Sequence, residues 1–531
     1  MIIAWHEGSN TFGKWHNVTS ARVAFNRGLR QGCIIAPILY KAFINPLIAQ
    51  TPTHLPHPDE DLLKEAFSTG LAMEDGVTVE HEGTTMMVPA LLFLDDVAIA
   101  TQEGDALQRQ LDRYTTHCAR WRYDLHVDKF HVLVYGARTP TRTWTVNTTV
   151  PCELHAVTTA KYVGMHTQTS MAPTKQLESM KAVFKRSTPL VGRVRQAMGP
   201  ELASMVHRTC QTTAAMFGGT NLWIPRQMLR NKLDDFTAAG AKQISGAPRH
   251  MRNDAALYEE DTMWYSNLAL IAQARLWLRL NRGVGLQTFQ RILLESQKAK
   301  YRGGQPQKAN EFVANAVSTL TKVGVPEPLD HKPKSKHALR KIMHRVSEML
   351  RREQMSELAN KLPLKARAHS AIPGRCTASV LSKVMAPLPN GRYAERARMA
   401  KGCSHETQRA MTLIRHGLLK CAREKHKRDT SVSPLCPHCS THTDSVVEDV
   451  EHVLLECRAT RQTRRRILSR VHAQAQTNPQ IRWATRGLSD DEIILATLGK
   501  PYHCRPGSKL HSALIGAAGP VWAREMKGLL Y

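Results

Sequence analysis

The ten residues Leu91 to Ala100 read Leu-Leu-Phe-Leu-Asp-Asp-Val-Ala-Ile-Ala, an apolar run interrupted only by two adjacent carboxylates. The length of the run and its Val, Ile and Phe content predict two short buried strands meeting in a tight hairpin, with Asp95 and Asp96 at the turn. Burying an ionised carboxylate costs several kcal/mol unless a cation or a hydrogen-bond network compensates it, so two side by side invite a metal ion. Magnesium, a hard oxygen-seeking cation, suits such a pair. The alternative is an exposed turn, where Asp is favoured for its side-chain to backbone hydrogen bonds. The stretch alone leaves both open.

Charge narrows the choice of partner. Among 531 residues, 73 Lys and Arg face 45 Asp and Glu, a formal net charge of +28. Such an excess selects a polyanion, either nucleic acid or an acidic membrane face. No segment offers about 18 uninterrupted apolar residues, which weakens the membrane reading. The N-terminus, Met1-Ile-Ile-Ala-Trp-His-Glu, lacks the pattern of a signal peptide. The 11 cysteines are too sparse and irregular for a secreted disulfide framework, which places the chain in a reducing, intracellular compartment. A hydrophobic fraction of 42% supports a folded protein.

Upstream of the carboxylates, Arg27-Gly28-Leu29-Arg30-Gln31-Gly32-Cys33-Ile34-Ile35-Ala36-Pro37 precedes the apolar series Ile38, Leu39, Ala42, Phe43 and Leu47. Gly28 and Gly32 allow a turn or a close backbone approach, and Pro37 opens a helix. Arg30 and Gln31 then present a cation and an amide at the helix entrance, which suits phosphate or base contact; many such joins bind nothing. Residues 51–82 are rich in Pro, His and acids and read as a surface insertion. Downstream, Leu107, Leu111, Tyr114, Cys118 and Trp121 recur at helical spacing behind Asp105, a candidate N-cap. Leu125 to Tyr135 has strand composition and carries Lys129 at its start, and a shorter strand is expected around Lys161 to Met165.

The order of these elements resembles the palm of a reverse transcriptase, most nearly those of non-LTR retrotransposons, over roughly residues 20 to 250. Gly28 to Pro37 looks like the family's motif B, and Phe93-Leu94-Asp95-Asp96 like motif C, the catalytic hairpin. The resemblance implies that Asp95 and Asp96 bind Mg2+ or Mn2+. It implies that Arg30, Gln31 and Gly32 contact the template and incoming nucleotide, and that Lys129 protonates the pyrophosphate leaving group. Tyr162-Val163-Gly164 resembles the primer grip. The implied partners are an RNA template and a DNA primer or target, without a membrane, in the nucleus if the host is eukaryotic. Three features depart from the family. Its motif A, whose Asp completes the two-metal site, and the preceding fingers would lie upstream of Trp5. Phe130 stands where Thr often follows the lysine, and Cys33-Ile34-Ile35-Ala36 is less polar than the family's loop. The chain therefore reads as N-terminally shortened, binding nucleic acid while polymerising weakly or not at all unless an upstream segment or an element-encoded partner supplies the missing carboxylate.

From about Lys175 to Leu280 the pattern turns helical (Gln176 to Val194, Glu201 to Trp223, Gln227 to Ile244), punctuated by Pro200, Pro225 and Pro248, which resembles the helical thumb. Two basic stretches follow, Lys298 to Lys308 and His331 to Arg352. Clustered cations bind phosphates strongly and salt-sensitively without encoding sequence preference.

The second chemical signal is Cys436-Pro-His-Cys439 followed by His452 and Cys457, a Cys-x2-Cys-x12-His-x4-Cys spacing suited to tetrahedral Zn2+ in a closed structural site. His438 and His442 are read as bystanders. The flanking Glu451-His-Val-Leu-Leu-Glu-Cys457 resembles the zinc knuckle C-terminal to the polymerase in non-LTR elements, and Arg458, Arg461, Arg464, Arg465 and Arg466 follow at once.

The expected fold class is α+β: a partial right-hand polymerase palm over 1–170, a helical thumb over 171–300, a basic helical region over 301–430, a CCHC zinc knuckle over 431–470, and a helical tail over 471–531. The reading is a reverse transcriptase domain of a non-LTR retrotransposon; the alternative is a non-catalytic, zinc-dependent nucleic-acid-binding remnant.

Overall fold

A computed structural model of the chain describes residues 71–81, 83–93, 96–120, 125–136, 142–148, 150–217, 226–260, 262–283, 288–302, 311–367, 404–415, 419–426, 429–498 and 509–529, with Leu47 and four two-residue strands between 10 and 24. It divides into two compact units, one of residues 1–172 with 287–296 and one of 173–286 with 297–531. Both strands and helices are present, as the α+β expectation requires, with helix predominating.

In the first unit the described strands are β1 (Asn10–Thr11), β2 (Lys14–Trp15), β3 (Val18–Thr19), β4 (Val23–Ala24), β5 (Val77–His81), β6 (Thr84–Val88), β7 (Ala90–Phe93) and β8 (Asp96–Ile99). Helix α1 (Gly104–Arg120) follows, then β9 (Thr143–Val146), β10 (Cys152–His155), β11 (Thr159–Tyr162) and β12 (Met165–Gln168). These strands pair as antiparallel two-stranded ribbons: β1 with β4, β2 with β3, and otherwise each with its sequence neighbour.

Isolated ribbons leave edge N–H and C=O groups without partners, and α1 supplies some of them. Gln108 donates from Nε2 to Thr145 O and accepts from Thr145 N at Oε1, both at 2.9 Å, so one amide closes the edge of β9. Gln110, fully buried, treats Ala72 the same way, accepting its N–H at 2.9 Å and donating to its carbonyl. Arg109 forks onto Asp75, with Nε 3.1 Å from both carboxylate oxygens, and this hydrogen bonding holds the Asp75 carboxyl below the usual carboxylate range. Residues 71–81, expected within a surface insertion, thus form buried chain and strand, because Leu71 and Ala72 pack inward.

The apolar stripe of α1 lies where its periodicity predicts: Leu111 and Cys118 are buried, with Leu107 and Tyr114 packed beside Val132, Trp144, Val146 and the hairpin residues Val97 and Ile99. Asp105 sits inside the first turn instead of capping it. Trp121 lies outside the described residues. The strand expected over Leu125 to Tyr135 is a 3-10 turn, Val127–Lys129, followed by a single bridge from Val132 to Ala156. Val127 and Phe130, half-buried, pack against the core from the turn, so these β-favouring side chains are partly covered without a ladder. The strand expected around Lys161 to Met165 is two strands joined by a tight bend: Lys161 and Tyr162 end β11, Val163 and Gly164 turn, and Met165, opposite Tyr162, begins β12.

The second unit is helical: α2 (Thr174–Met198), α3 (Pro200–Val206) continuing through a π turn at His207–Thr212, α4 (Arg226–Ser245), α5 (Asn253–Glu260) and α6 (Tyr265–Asn281). Helix α7 (Thr288–Arg302) spans the boundary of the two units; α8 (Glu311–Lys322), α9 (Lys336–Arg367), α10 (His405–Arg415) and α11 (Ala422–His426) follow. The chain closes with α12 (Arg461–Thr477), α13 (Pro479–Thr485), α14 (Asp490–Thr497) and α15 (Lys509–Glu525). Pro200 occupies the first turn of α3, where its missing N–H is not needed. Ser489 and Glu492 form a reciprocal capping box on α14.

One apolar core joins α4, α5, α9, α10 and α12 to α15 with Val450, Val453 and Leu454. Trp522 is among its largest fully buried side chains, and its indole N–H donates to Thr497 Oγ1 at 3.0 Å. Trp522→Ala is expected to cost about 3–5 kcal/mol through the cavity left, and Trp522→Phe a smaller loss from the missing hydrogen bond. Denaturant unfolding monitored by far-UV circular dichroism measures both.

Candidate functional site

The β7–β8 ribbon positions the first candidate. Ala90 pairs with Ile99, Leu91 with Ala98, Leu92 with Val97 and Phe93 with Asp96. With Phe93 and Asp96 directly opposite, two residues remain between the strands, Leu94 and Asp95, which lie outside the described residues. Asp96 opens β8 and is exposed, so its carboxylate is not the buried one that would demand a cation. The expectation of two buried strands is met on one face only. Ala90 is buried and Val97 and Ile99 pack inward, whereas Leu91 is 42% exposed. The pleat gives a two-stranded ribbon two faces, and this one has a core partner on one of them.

The β11–β12 hairpin reaches the same place. Tyr162 donates from Oη to Leu91 O at 3.3 Å, and burial, reinforced by the negative charge of Asp96, pushes its phenol pKa up. The turn requires positive φ at both central residues: Val163 at 47° and Gly164 at 79°. Glycine takes this freely, but a β-branched residue there is strained by roughly 1–3 kcal/mol. Lys129 ends its 3-10 turn as an exposed side chain. Arg30, Gln31 and Gly32 lie outside the described residues.

The second candidate is assembled completely. Cys436, Cys439, His452 and Cys457 offer one ligand atom each, all within 4.8 Å of one another. Cys457 Sγ stands 3.8 Å from Cys436 Sγ and 3.9 Å from Cys439 Sγ. Tetrahedral zinc with Zn–S bonds of about 2.3 Å puts its sulfurs about 3.8 Å apart. His452 fits the same reading: Nδ1 donates to Glu456 Oε2 at 3.3 Å, which leaves Nε2 with its lone pair, and Nε2 is buried without a hydrogen-bond partner. This cluster could therefore hold a zinc ion, a closed set that leaves no position for substrate. His438 and His442 are exposed and outside the set.

Local backbone explains the convergence. Cys436 N donates to Val446 O at 2.7 Å and Ser440 N to Cys436 O at 3.0 Å, folding the Cys-Pro-His-Cys loop into a knuckle. Ser440 Oγ ties it further by donating to Val446 O and accepting from Val446 N. The π turn His452–Glu456 ends at Cys457, whose N–H donates to His452 O at 2.7 Å, so the two downstream ligands close one turn. Burial pushes the Cys436 thiol up to about 12, and the neighbouring Cys457 adds to the shift. Burial opposes ionisation of Cys439 too, but hydrogen bonds from Arg458 N–H and the neighbouring thiols outweigh it and bring that pKa down.

Sequence reasoning missed the groups that hold the histidine. Asp449 accepts from His452 N at 2.9 Å and pairs with Arg423 Nη1 at 3.4 Å, both side chains nearly fully buried. Glu448 adds its carbonyl to Arg423 N and its carboxylate to Ala422 N. Arg423 lies 26 residues upstream of Asp449, and no spacing rule connects them.

Residues 3–167 match the family model described as reverse transcriptase (RNA-dependent DNA polymerase), just under a third of the chain, and the matched span includes the β7–β8 hairpin and all but the last residue of the β11–β12 hairpin. No curated protein matches the chain. No helix among the described residues is long and apolar enough to cross a membrane.

Zinc uptake by the Cys436 cluster must expel thiol protons, so affinity is expected to rise with pH and to fall as the thiols reprotonate, read by competition with a chromophoric chelator. Cys457→Ser is expected to weaken zinc binding and to lower the thermal midpoint. Asp449→Ala, which strips the cap and strands buried Arg423, is expected to cost about 3–5 kcal/mol, with Asp449→Asn milder because it keeps an acceptor for His452 N–H. Thermal melts with and without chelator separate the two effects.

Proposed function

We propose that this chain is the reverse transcriptase domain protein of a non-LTR retrotransposon, extending a DNA primer on an RNA template. The observation that carries the reading is the reverse transcriptase match over a segment in which Phe93 faces Asp96 across a two-residue connection containing Asp95. Asp95 and Asp96 would hold Mg2+ or Mn2+, which when bound supplies Lewis-acid activation of the primer hydroxyl and steadies the leaving oxygens. Two-metal chemistry also needs a carboxylate from a second strand, from this chain or from an element-encoded partner.

The protein's own groups then divide the work. The primer 3′-hydroxyl loses its proton to solvent as its oxygen forms the new P–O bond and the bond to pyrophosphate breaks, and the Lys129 ammonium donates a proton to the departing oxygen. Arg30, Gln31 and Gly32 contact template and incoming nucleotide. Tyr162, hydrogen-bonded to Leu91 O, fixes the strained Val163–Gly164 turn beside the carboxylate hairpin, where a primer end would be gripped. The Cys436, Cys439, His452, Cys457 tetrad, with its sulfur spacing and orphan histidine nitrogen, supports both the zinc knuckle and the non-LTR assignment. Nuclear residence in a eukaryotic host follows from that assignment.

A second reading draws on the same tetrad: a zinc-dependent nucleic-acid-binding protein without catalysis, favoured by the completeness of the cysteine and histidine set. Template-dependent deoxynucleotide incorporation by the purified chain in Mg2+ discriminates the two. Under the first reading incorporation is weak or absent until the second-strand carboxylate is supplied, and Asp95→Ala or Asp96→Ala abolishes whatever incorporation is found. Under the second no incorporation is found even then, nucleic-acid binding survives both substitutions, and Cys436→Ser removes it.

A further inference from the structure

Helix α9 presents a face that the chemistry above leaves unused. Its inner side is anchored: Leu339, Ile342, Met343, Val346 and Leu350 are buried at helical spacing. Gln354 ties the same side to Trp264 N at 2.9 Å, to Thr262 O at 2.9 Å and to Asn267. The exposed side carries Lys336, Arg340, Lys341 and Arg345, with Lys332 and Lys334 leading in and Arg352 about two turns further along. Residues 331–347 contain no Asp or Glu. Among the described residues these four cations form no ion pair, whereas nearby cations such as Lys322 and Arg351 do.

A row of four to six unpaired cations on a rigid helix repels itself, at a cost a folded protein carries when a polyanion relieves it. Resting on the nucleic-acid reading above, we infer that this face of α9 grips the phosphate backbone of a nucleic-acid duplex without reading its sequence. Two features point to a duplex in place of an unpaired strand or a lipid surface. Residues 331–352 contain no Phe, Tyr or Trp, so the face lacks the stacking platforms that proteins use to hold unpaired bases. It also lacks exposed apolar side chains to enter a bilayer: Leu339, Ile342, Met343, Val346 and Leu350 all point inward. From Lys336 to Arg345 the cations span about 14 Å of helix and spread over both flanks of its exposed side, so that phosphates of two strands can be met at once.

The test uses the full chain and a fluorescent duplex, either DNA or an RNA–DNA hybrid, in two unrelated sequences. A variant combining Lys336→Gln, Arg340→Gln, Lys341→Gln and Arg345→Gln is expected to weaken binding equally for both sequences. The slope of log Kobs against log salt is expected to shrink by about 3 to 4, the value for loss of four phosphate contacts. A milder pair, Lys336→Gln with Arg345→Gln, is expected to remove about half of that and guards against a folding defect, which matched circular dichroism melts exclude. Unchanged slopes in both variants overturn the inference. So does a loss confined to an unpaired oligonucleotide, or binding to phosphatidylserine vesicles that the substitutions abolish while duplex binding persists. Failure of the polymerase reading would appear as absent incorporation, even with the second-strand carboxylate supplied, with the α9 effect intact.

Discussion

Three cysteine sulfurs and a histidine nitrogen gathered within 4.8 Å are the constraint on which the C-terminal half of this protein depends. Thiolates packed so closely repel one another, and burial disfavours their ionisation. Only protonation or a cation makes the arrangement stable. The π turn that carries His452 also contributes Val453 and Leu454 to the apolar core shared with α12, α14 and α15, next to Val450. A metal ion held by this cluster would therefore be linked to the packing of that core. The buried Arg423–Asp449 pair is the hinge between them: it fixes the start of the turn, and with it the direction of His452 Nε2.

The first unit solves a different problem. Its ribbons are individually too narrow to be stable, and they persist because α1 satisfies their edges with amides as well as apolar contacts. Gln108 and Gln110, two residues apart, each read both backbone groups of one partner, Thr145 and Ala72. That bracing leaves the β7–β8 hairpin free to present Asp96 to solvent. Tyr162 approaches from the side, and the strain at Val163 is offset by the surrounding hairpin.

Several elements were legible in the chain itself. The stripe of α1, the proline-initiated α3, the capped α14 and the Cys-x2-Cys-x12-His-x4-Cys cluster all follow from spacing rules that act within a few residues or through fixed ligand geometry. Two strand assignments went astray to different degrees. In Leu125 to Tyr135 half-buried Val127 and Phe130 pack from a 3-10 turn, whereas in Lys161 to Met165 the strand ends at Tyr162 and resumes at Met165, with Val163 and Gly164 turning between. Propensity reports that such side chains suit a half-buried surface; it does not report which backbone groups find partners.

By itself, the sequence determined the residue types and local periods: a paired carboxylate in an apolar run, a four-ligand metal spacing, and a cation excess concentrated in a stretch without acids. Tertiary structure alone decided which of these groups meet. Arg423 pairs with Asp449, Gln110 with Ala72, and Tyr162 with Leu91 across separations of 26, 38 and 71 residues. Burial makes the first two of these contacts necessary, because a polar group withdrawn from water must find its partner wherever the fold brings one. No local pattern encodes that meeting, since the desolvation that enforces it exists only once the core has closed.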